Sequence, residues 1–314
     1  MIVDFGGHLY PGVHHPPAVL RNPDAELIGP LLTDPDALCS YIEVSPLDRM
    51  VLSQPYYMGA DDLEATTRAN RTLLDTVADH DELYSLAAIP IGAGGEPAAA
   101  EFERALDAGS HGGAVEVSPA TDGLTDPVYE PVLEVADRTG TPVLVHPKLD
   151  ESIGSGELDD SYRLNAIFGR EIALTDSIWK VVHEELFSSY PNLNLVYHHL
   201  GGNIASMTGR IKLQLDSDRW AGEDGLKSFA EFSATVADNI YVDTSGFFGH
   251  EQTLETAIEL FSAENILFGS DYPYEPRTPA EMATLVESVG SASNGVDSDR
   301  ILGENALSLL DQTA

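Results

Sequence analysis

Four segments of the chain end an apolar run in an imidazole or a carboxylate. They are Asp4-Phe5-Gly6-Gly7-His8, Val143-Leu144-Val145-His146-Pro147, Leu195-Val196-Tyr197-His198-His199-Leu200-Gly201-Gly202 and Ile266-Leu267-Phe268-Gly269-Ser270-Asp271-Tyr272-Pro273. Two or three histidines with one aspartate form a ligand set suited to Zn, Mn or Fe, with the aspartate or a spare histidine left to move protons. Such chemistry requires that residues far apart in sequence converge.

The elements between them supply a means. Short β-branched runs alternate with amphipathic ones, the pattern of βα units around a parallel sheet. Strands are predicted at Ile2–Asp4, Arg49–Gln54, Leu83–Pro90, Gly113–Val117, Pro142–His146, Asn194–His198, Asn239–Asp243 and Asn265–Gly269. Eight strands suit a distorted (β/α)8 TIM barrel, a single domain over 1–314. Helices are expected at Asp61–His80, Pro97–Ala108, Pro127–Thr139, Asp176–Ser189, Leu226–Ala237, Thr253–Ser262 and Pro279–Val289. Asp126-Pro127 and Thr278-Pro279 read as an N-cap before Pro at N1, and Gly109 and Gly140 as C-caps. Pro11–Ser40 and Asp150–Arg170 read as long loops over the C-terminal face, where barrel active sites lie. His8, His14, His15, His146, His198, His199 and His250 all follow strands and so fall on that face, whereas His80, His111 and His183 do not.

In their order, these segments resemble the amidohydrolase superfamily, in its branch of aminocarboxymuconate semialdehyde decarboxylase-like enzymes. The likeness extends to Leu86-Ala87-Ala88-Ile89-Pro90, Gly209-Arg210, Asp243-Thr244-Ser245-Gly246 and Leu302-Gly303-Glu304-Asn305-Ala306. It implies a hydrolase or carboxy-lyase with His8, His146 and Asp271 as metal ligands. His199 becomes the residue that polarises or deprotonates water or substrate, and Asp271 doubles as proton carrier. Arg210 would bind a substrate carboxylate across a homodimer interface. The implied substrate is a small carboxylated, aromatic or unsaturated organic acid.

One departure bears on the metal. The family's strand-1 motif is His-x-His or Glu-x-His, whereas this chain has Gly6-Gly7-His8. A divalent ion, Zn or Mn, is therefore placed in doubt, with Asp4, His14, His15 or Glu116 as substitutes. The alternatives are a metal-independent lactone hydrolase with Asp271 as base, and a binding barrel without catalysis.

Other residues carry lesser expectations. His14 and His15 are candidates to line the substrate pocket, and His250 to sit at its rim. Strand alternation turns His198 away from the side His199 faces, and so against a helix. Glu116 needs a partner on an apolar strand, and Asp243 reads as a supporting hydrogen-bonder. Arg277 and Lys148 could anchor an anion. Cys39 reads as a small buried hydrophobe and His183 as structural.

Composition bounds the partners. The 314 residues hold 16 Lys and Arg against 52 Asp and Glu, a net charge of -36. That balance excludes a nucleic-acid binder and an anionic membrane surface. No signal peptide or apolar span is apparent, so a cytoplasmic protein is expected. With four lysines against twelve arginines, the surface reads as halophilic, because screening to ~3 Å at 1 M salt relieves self-repulsion. Stability and activity should therefore both fall as salt is lowered to ~0.1 M; a thermal midpoint unchanged across that range would overturn the halophilic reading.

Overall fold

A computed structural model describes residues 1–12, 25–118, 123–147, 164–216, 225–246, 248–293, 295 and 297–311. Its strands are β1 (Val3–His8), β2 (Arg49–Ser53), β3 (Leu83–Ser85), β4 (Ala87–Ala88), β5 (Gly113–Val117), β6 (Pro142–Pro147), β7 (Asn194–Tyr197), β8 (Ile240–Asp243) and β9 (Ile266–Leu267). All ladders are parallel, in the order β1-β2-β3 and β4-β5-β6-β7-β8-β9. The ring closes where Phe5 N–H donates to the Phe268 carbonyl at 2.8 Å and His8 N–H to that of Tyr272 at 2.9 Å. The result is a distorted (β/α)8-like barrel, as expected.

Around it lie α1 (Ala25–Thr33), α2 (Pro35–Val44), α3 (Leu63–Ala78), α4 (Gly95–Asp107), α5 (Glu130–Thr139), α6 (Arg170–His183), α7 (Leu186–Ser189), α8 (Thr208–Leu215), α9 (Phe229–Asn239), α10 (Glu251–Phe261), α11 (Pro279–Ala292) and α12 (Asn305–Asp311). Three of the caps read from sequence hold, whereas α4 is capped by Ala108 with Gly109 one residue beyond it. Thr278 and Glu281 form a capping box, Asp126 accepts from Val128 N–H, and Gly140 closes α5 in the left-handed region. From residue 25 onward the first expected loop is helical instead, occupied by α1 and α2, and Asp34 caps α2 before Pro35. That Asp-Pro pair is the same signal as Asp126-Pro127. The second expected loop is described from residue 164, where it is already helical.

Side chains alternate along the strands. Val143 and Val145 meet the outer helices, while Leu144 joins Val3, Phe5, Val51, Ala88, Ala114, Val196 and Leu267 inside the barrel. Ala306, Leu309 and Leu310 of α12 close its floor. Interior positions above that apolar layer face the open end.

The third predicted strand is interrupted. β3 pairs with β2 and β4 with β5, so the Ala88 peptide loses a ladder partner on one side. Buried Asn70 of α3 takes that place: Ala88 N–H donates to its Oδ1 at 2.9 Å, and its Nδ2 donates to the Ala88 carbonyl at 3.0 Å. Glu101 accepts from the same amide nitrogen at 2.8 Å. Asn70→Leu strands both Ala88 groups in the core and should destabilise the fold by about 2–4 kcal/mol. Denaturant unfolding measures it, and a loss below about 0.5 kcal/mol would show the stitch to be dispensable.

Candidate metal and active site

The four segments singled out in the sequence end on one mouth of the barrel. Register places Val145 opposite Tyr197, so the next residues, His146 and His198, are neighbours. Both continue the interior positions of Leu144 and Val196. Their rings stack at 4.8 Å between centroids, and His8 meets both edge-on at 5.6 and 5.8 Å. All three imidazoles are buried.

Each ring is oriented by its Nδ1. In His8 it meets Ser53 Oγ at 3.0 Å, in His146 the Pro147 carbonyl at 2.7 Å, and in His198 Asp243 Oδ2 at 2.7 Å. In His146 and His198 this fixes the proton on Nδ1 and turns the Nε2 lone pair inward, the arrangement of metal-ligating histidines. Asp271 approaches from the end of β9. Its Oδ1 lies 3.0 Å from His8 Nε2 and 3.6 Å from His198 Nε2, and its Oδ2 lies 3.9 Å from His199 Nε2. The Nε2 atoms of His198 and His199 are buried and lack a hydrogen bond.

The backbone is bent to allow this. Asp271 and His199 hold φ of 58° and 51°, the left-handed region that non-glycine residues rarely adopt. Asp4 fastens the loop before Asp271, accepting from Gly6 N–H, Ser270 N–H and Ser270 Oγ. Arg277 Nη1 braces it from outside through the carbonyls of Ser270 and Glu275, with its guanidinium over the Phe248 ring.

Electrostatics follow from burial and neighbours. Burial alone would raise the Asp271 carboxyl, but contacts with His198, His199 and His8 outweigh it and hold the group well below the usual carboxylate range. His146 is pushed well below the usual imidazole range by burial and then by the surrounding histidines. For His199, burial acts downward, yet Glu171 and Asp271 on either side drive it up to about 10. The cluster draws positive charge into a buried place.

A divalent ion fits that demand. His8, His146 and His198 each offer one nitrogen, all within 4.8 Å of one another, and His198, His199 and Asp271 form a second such group. Donors about 2.0–2.2 Å from one ion lie roughly 3 Å apart, close to the His8–Asp271 separation. The doubt over a Zn or Mn ion raised by Gly6 is thereby overturned. Three imidazoles converge without a side chain at position 6, so the glycine leaves no ligand missing.

His198 is also corrected. It does face the opposite way from its neighbour's position on the strand, but its side is the interior one. His199, beyond the strand end, returns to the centre only through its left-handed backbone. Parity with Leu144 and Val196 was the signal for His198. Glu171, whose Oε1 meets His199 Nδ1 at 2.9 Å, had none, because it comes from the first turn of α6. Tyr274, with its ring 4.9 Å from His8 and its hydroxyl 2.8 Å from that of Tyr10, was likewise not singled out.

The other expectations divide. Asp243 is the hydrogen-bonder foreseen. His183 bonds the Trp179 carbonyl and stacks on its ring at 4.3 Å, a structural role. Half-buried Glu116 is the register partner of His146 and lies against Gly59. His250 is exposed and bonds Thr253 Oγ1. Cys39 is half-buried on α2, 3.4 Å from His80 Nδ1. Arg210 is exposed on α8. His14, His15 and Lys148 lie outside the described residues.

Known proteins bear out the resemblance. A family model described as Amidohydrolase matches residues 3–312. The chain is 24% identical to a 2-amino-3-carboxymuconate-6-semialdehyde decarboxylase of Dictyostelium discoideum, covering 88% of this chain and 76% of that one. It is 27% identical to a gamma-resorcylate decarboxylase of a Rhizobium species, covering 80% of each. In fold it is similar to a dihydroxybenzoic acid decarboxylase from a Polaromonas species, crystallised with manganese and the inhibitor 2-nitroresorcinol. That match has a TM-score of 0.80 at 21% identity and covers 100% of this chain and 97% of the other.

Burial is the largest influence on Asp4, raising it to about 6 against its hydrogen bonds. A carboxyl raised on folding favours the protonated native state, so its contribution is full below about pH 4 and is lost as pH rises through about 6. Asp4→Asn should remove that fall from the metal-free protein's stability profile; a wild-type-minus-variant difference that is flat between pH 4 and 6 would contradict the assignment.

Proposed function

We propose that this chain, which belongs to the amidohydrolase family, is a metal-assisted decarboxylase of a small carboxylated aromatic acid. The observation that carries the reading is the buried convergence of His8, His146, His198 and His199 on Asp271, with two inward nitrogens lacking a hydrogen bond. His8, His146 and Asp271 would hold a divalent ion, with His198 beside them. When bound, such an ion supplies a positive charge for the substrate carboxylate and a neighbouring oxygen.

The chain's own residues do the remaining work. The ring carbon that loses its carboxylate must gain a proton, and carbon dioxide leaves as the electrons of the broken C–C bond return to the ring. Asp271 and His199 are the groups placed to hold and move that proton, with Nε2 of His199 facing the centre and Glu171 anchoring its other nitrogen. The tyrosines beside His8 offer an aromatic wall with hydroxyls at its edge. Arg210, exposed on α8, suits a carboxylate contact made across a homodimer, and His14 and His15 remain candidates for the pocket. One barrel whose strands run from β1 to β9 supports reading the chain as a single domain.

The test uses purified protein loaded with Mn or Zn and a panel of hydroxylated benzoates that includes γ-resorcylate, with carbon dioxide and the ring product both measured. Turnover that disappears on chelation and returns with metal is expected. Asp271→Asn should lower kcat/KM by about 10³-fold. Metal-loaded protein that leaves every benzoate intact but opens a lactone would reverse the assignment to the hydrolase.

A further inference from the structure

The space a side chain on residue 6 would need is already taken, first by Ser245 and more loosely by Gly269 Cα and His198, both 3.3 Å away. A Cβ at Gly6 would lie 2.2 Å from Ser245 Oγ and 3.3 Å from Cε1 of His198, the carbon bonded to the inward nitrogen. A second glycine enlarges the same space, since a Cβ at Gly269 would lie 2.6 Å from Ser245 Oγ and 3.0 Å from both Cβ and Cγ of Asp243. These two positions therefore clear room for the Asp243–His198 pair.

The pair is buried and held by hydrogen bonds. Asp243 and His198 are both fully buried. Asp243 accepts from Ser245 N–H at 2.9 Å and meets His198 Nδ1 at 2.7 Å, so the carboxylate is fixed before it fixes the ring. The other ring nitrogen faces His8, His146 and Asp271 without a hydrogen bond. A buried imidazole nitrogen left so would cost free energy; an ion relieves it.

The geometry points to a transposed ligand: His198 of the β7 end is a direct ligand of the divalent ion, occupying the coordination position that a side chain on residue 6 of β1 would otherwise fill. Gly6 and His198 are then one exchanged pair, with Asp243 as the residue that orients the ligand. This inference rests on the metal-assisted reading above and specifies which imidazoles carry it.

The experiment counts ligating histidines in the Co(II)-loaded protein. Each histidine bound through Nε2 with its Nδ1–H held by the protein contributes one exchangeable, hyperfine-shifted N–H proton resonance. Three are expected in wild type, from His8, His146 and His198, and two in His198→Asn. Metal affinity, measured by chelator competition, should fall at least 100-fold in His198→Asn and 10–100-fold in Asp243→Asn. Gly6→His placed on a His198→Ala, Ser245→Ala background should restore the third resonance and recover at least tenfold of the lost affinity. Gly6→His alone should gain no affinity, because Ser245 blocks the side chain and His198 already supplies the ligand.

Two resonances in wild type, or native affinity in folded His198→Asn, would overturn the proposal. Because the wild-type count needs no variant, a substitution that fails to fold does not shield it. Wild-type protein that binds one ion with two imidazoles defeats only the His198 assignment. Protein that takes up no ion, or whose turnover ignores chelation, defeats the metal reading itself.

Discussion

The site is organised around a carboxylate held where water scarcely reaches it. Asp271 is 9% exposed, and a charge so placed survives only with opposite charge or strong donors beside it. Several features of the barrel mouth serve that need. His8, His198 and His199 crowd its two oxygens. The left-handed backbone at Asp271 and His199 brings the groups together. Asp4 and Arg277 grip Ser270 from opposite sides, so the strained turn is held by the fold rather than by the ligands alone.

Positive charge at the centre has two sources, protons and a divalent ion, and they exclude one another at the same nitrogens. Without an ion, His198 and His199 are both raised from the usual imidazole range against the effect of burial, by Asp243 and Glu171 respectively. Binding of an ion replaces a proton at whichever Nε2 coordinates it, so affinity must depend on pH. The division of labour is then spatial. His198 sits among the other imidazoles on the interior face of the sheet, whereas His199 reaches inward from beyond the strand and pairs with a helix carboxylate.

Much of the fold was legible because it is written locally. β-branched runs, Asp-Pro caps and the C-cap at Gly140 are decided within a few residues, and they appear where expected. The break between β3 and β4 was not legible, because the compensating Asn70 lies in a helix and gains meaning only when packed. At the site, the residue types at the strand ends marked the four segments, and the family resemblance, not the residue types, singled out His8, His146, His199 and Asp271 within them. The orientation of His198 required parity with an interior that only the closed barrel defines. Gly6 misled for a related reason. A missing side chain reads as a missing ligand in one dimension, but in three it is space that a neighbour can use.

The acidic composition can be placed against this centre. A net charge of -36 opposes the approach of an anionic acid, so a substrate of the proposed class needs local positive potential at the mouth. Arg277, one of the cations the sequence offered for that purpose, donates to backbone carbonyls and lies over Phe248. Arg210 is exposed on α8. Among the described residues, the buried imidazoles and an ion bound by them would supply such attraction, which low local dielectric strengthens and salt screens less than it screens the surface. Salt would thus weaken the repulsive exterior more than the attractive centre, which gives an acidic exterior and an anionic substrate a common solution in concentrated electrolyte.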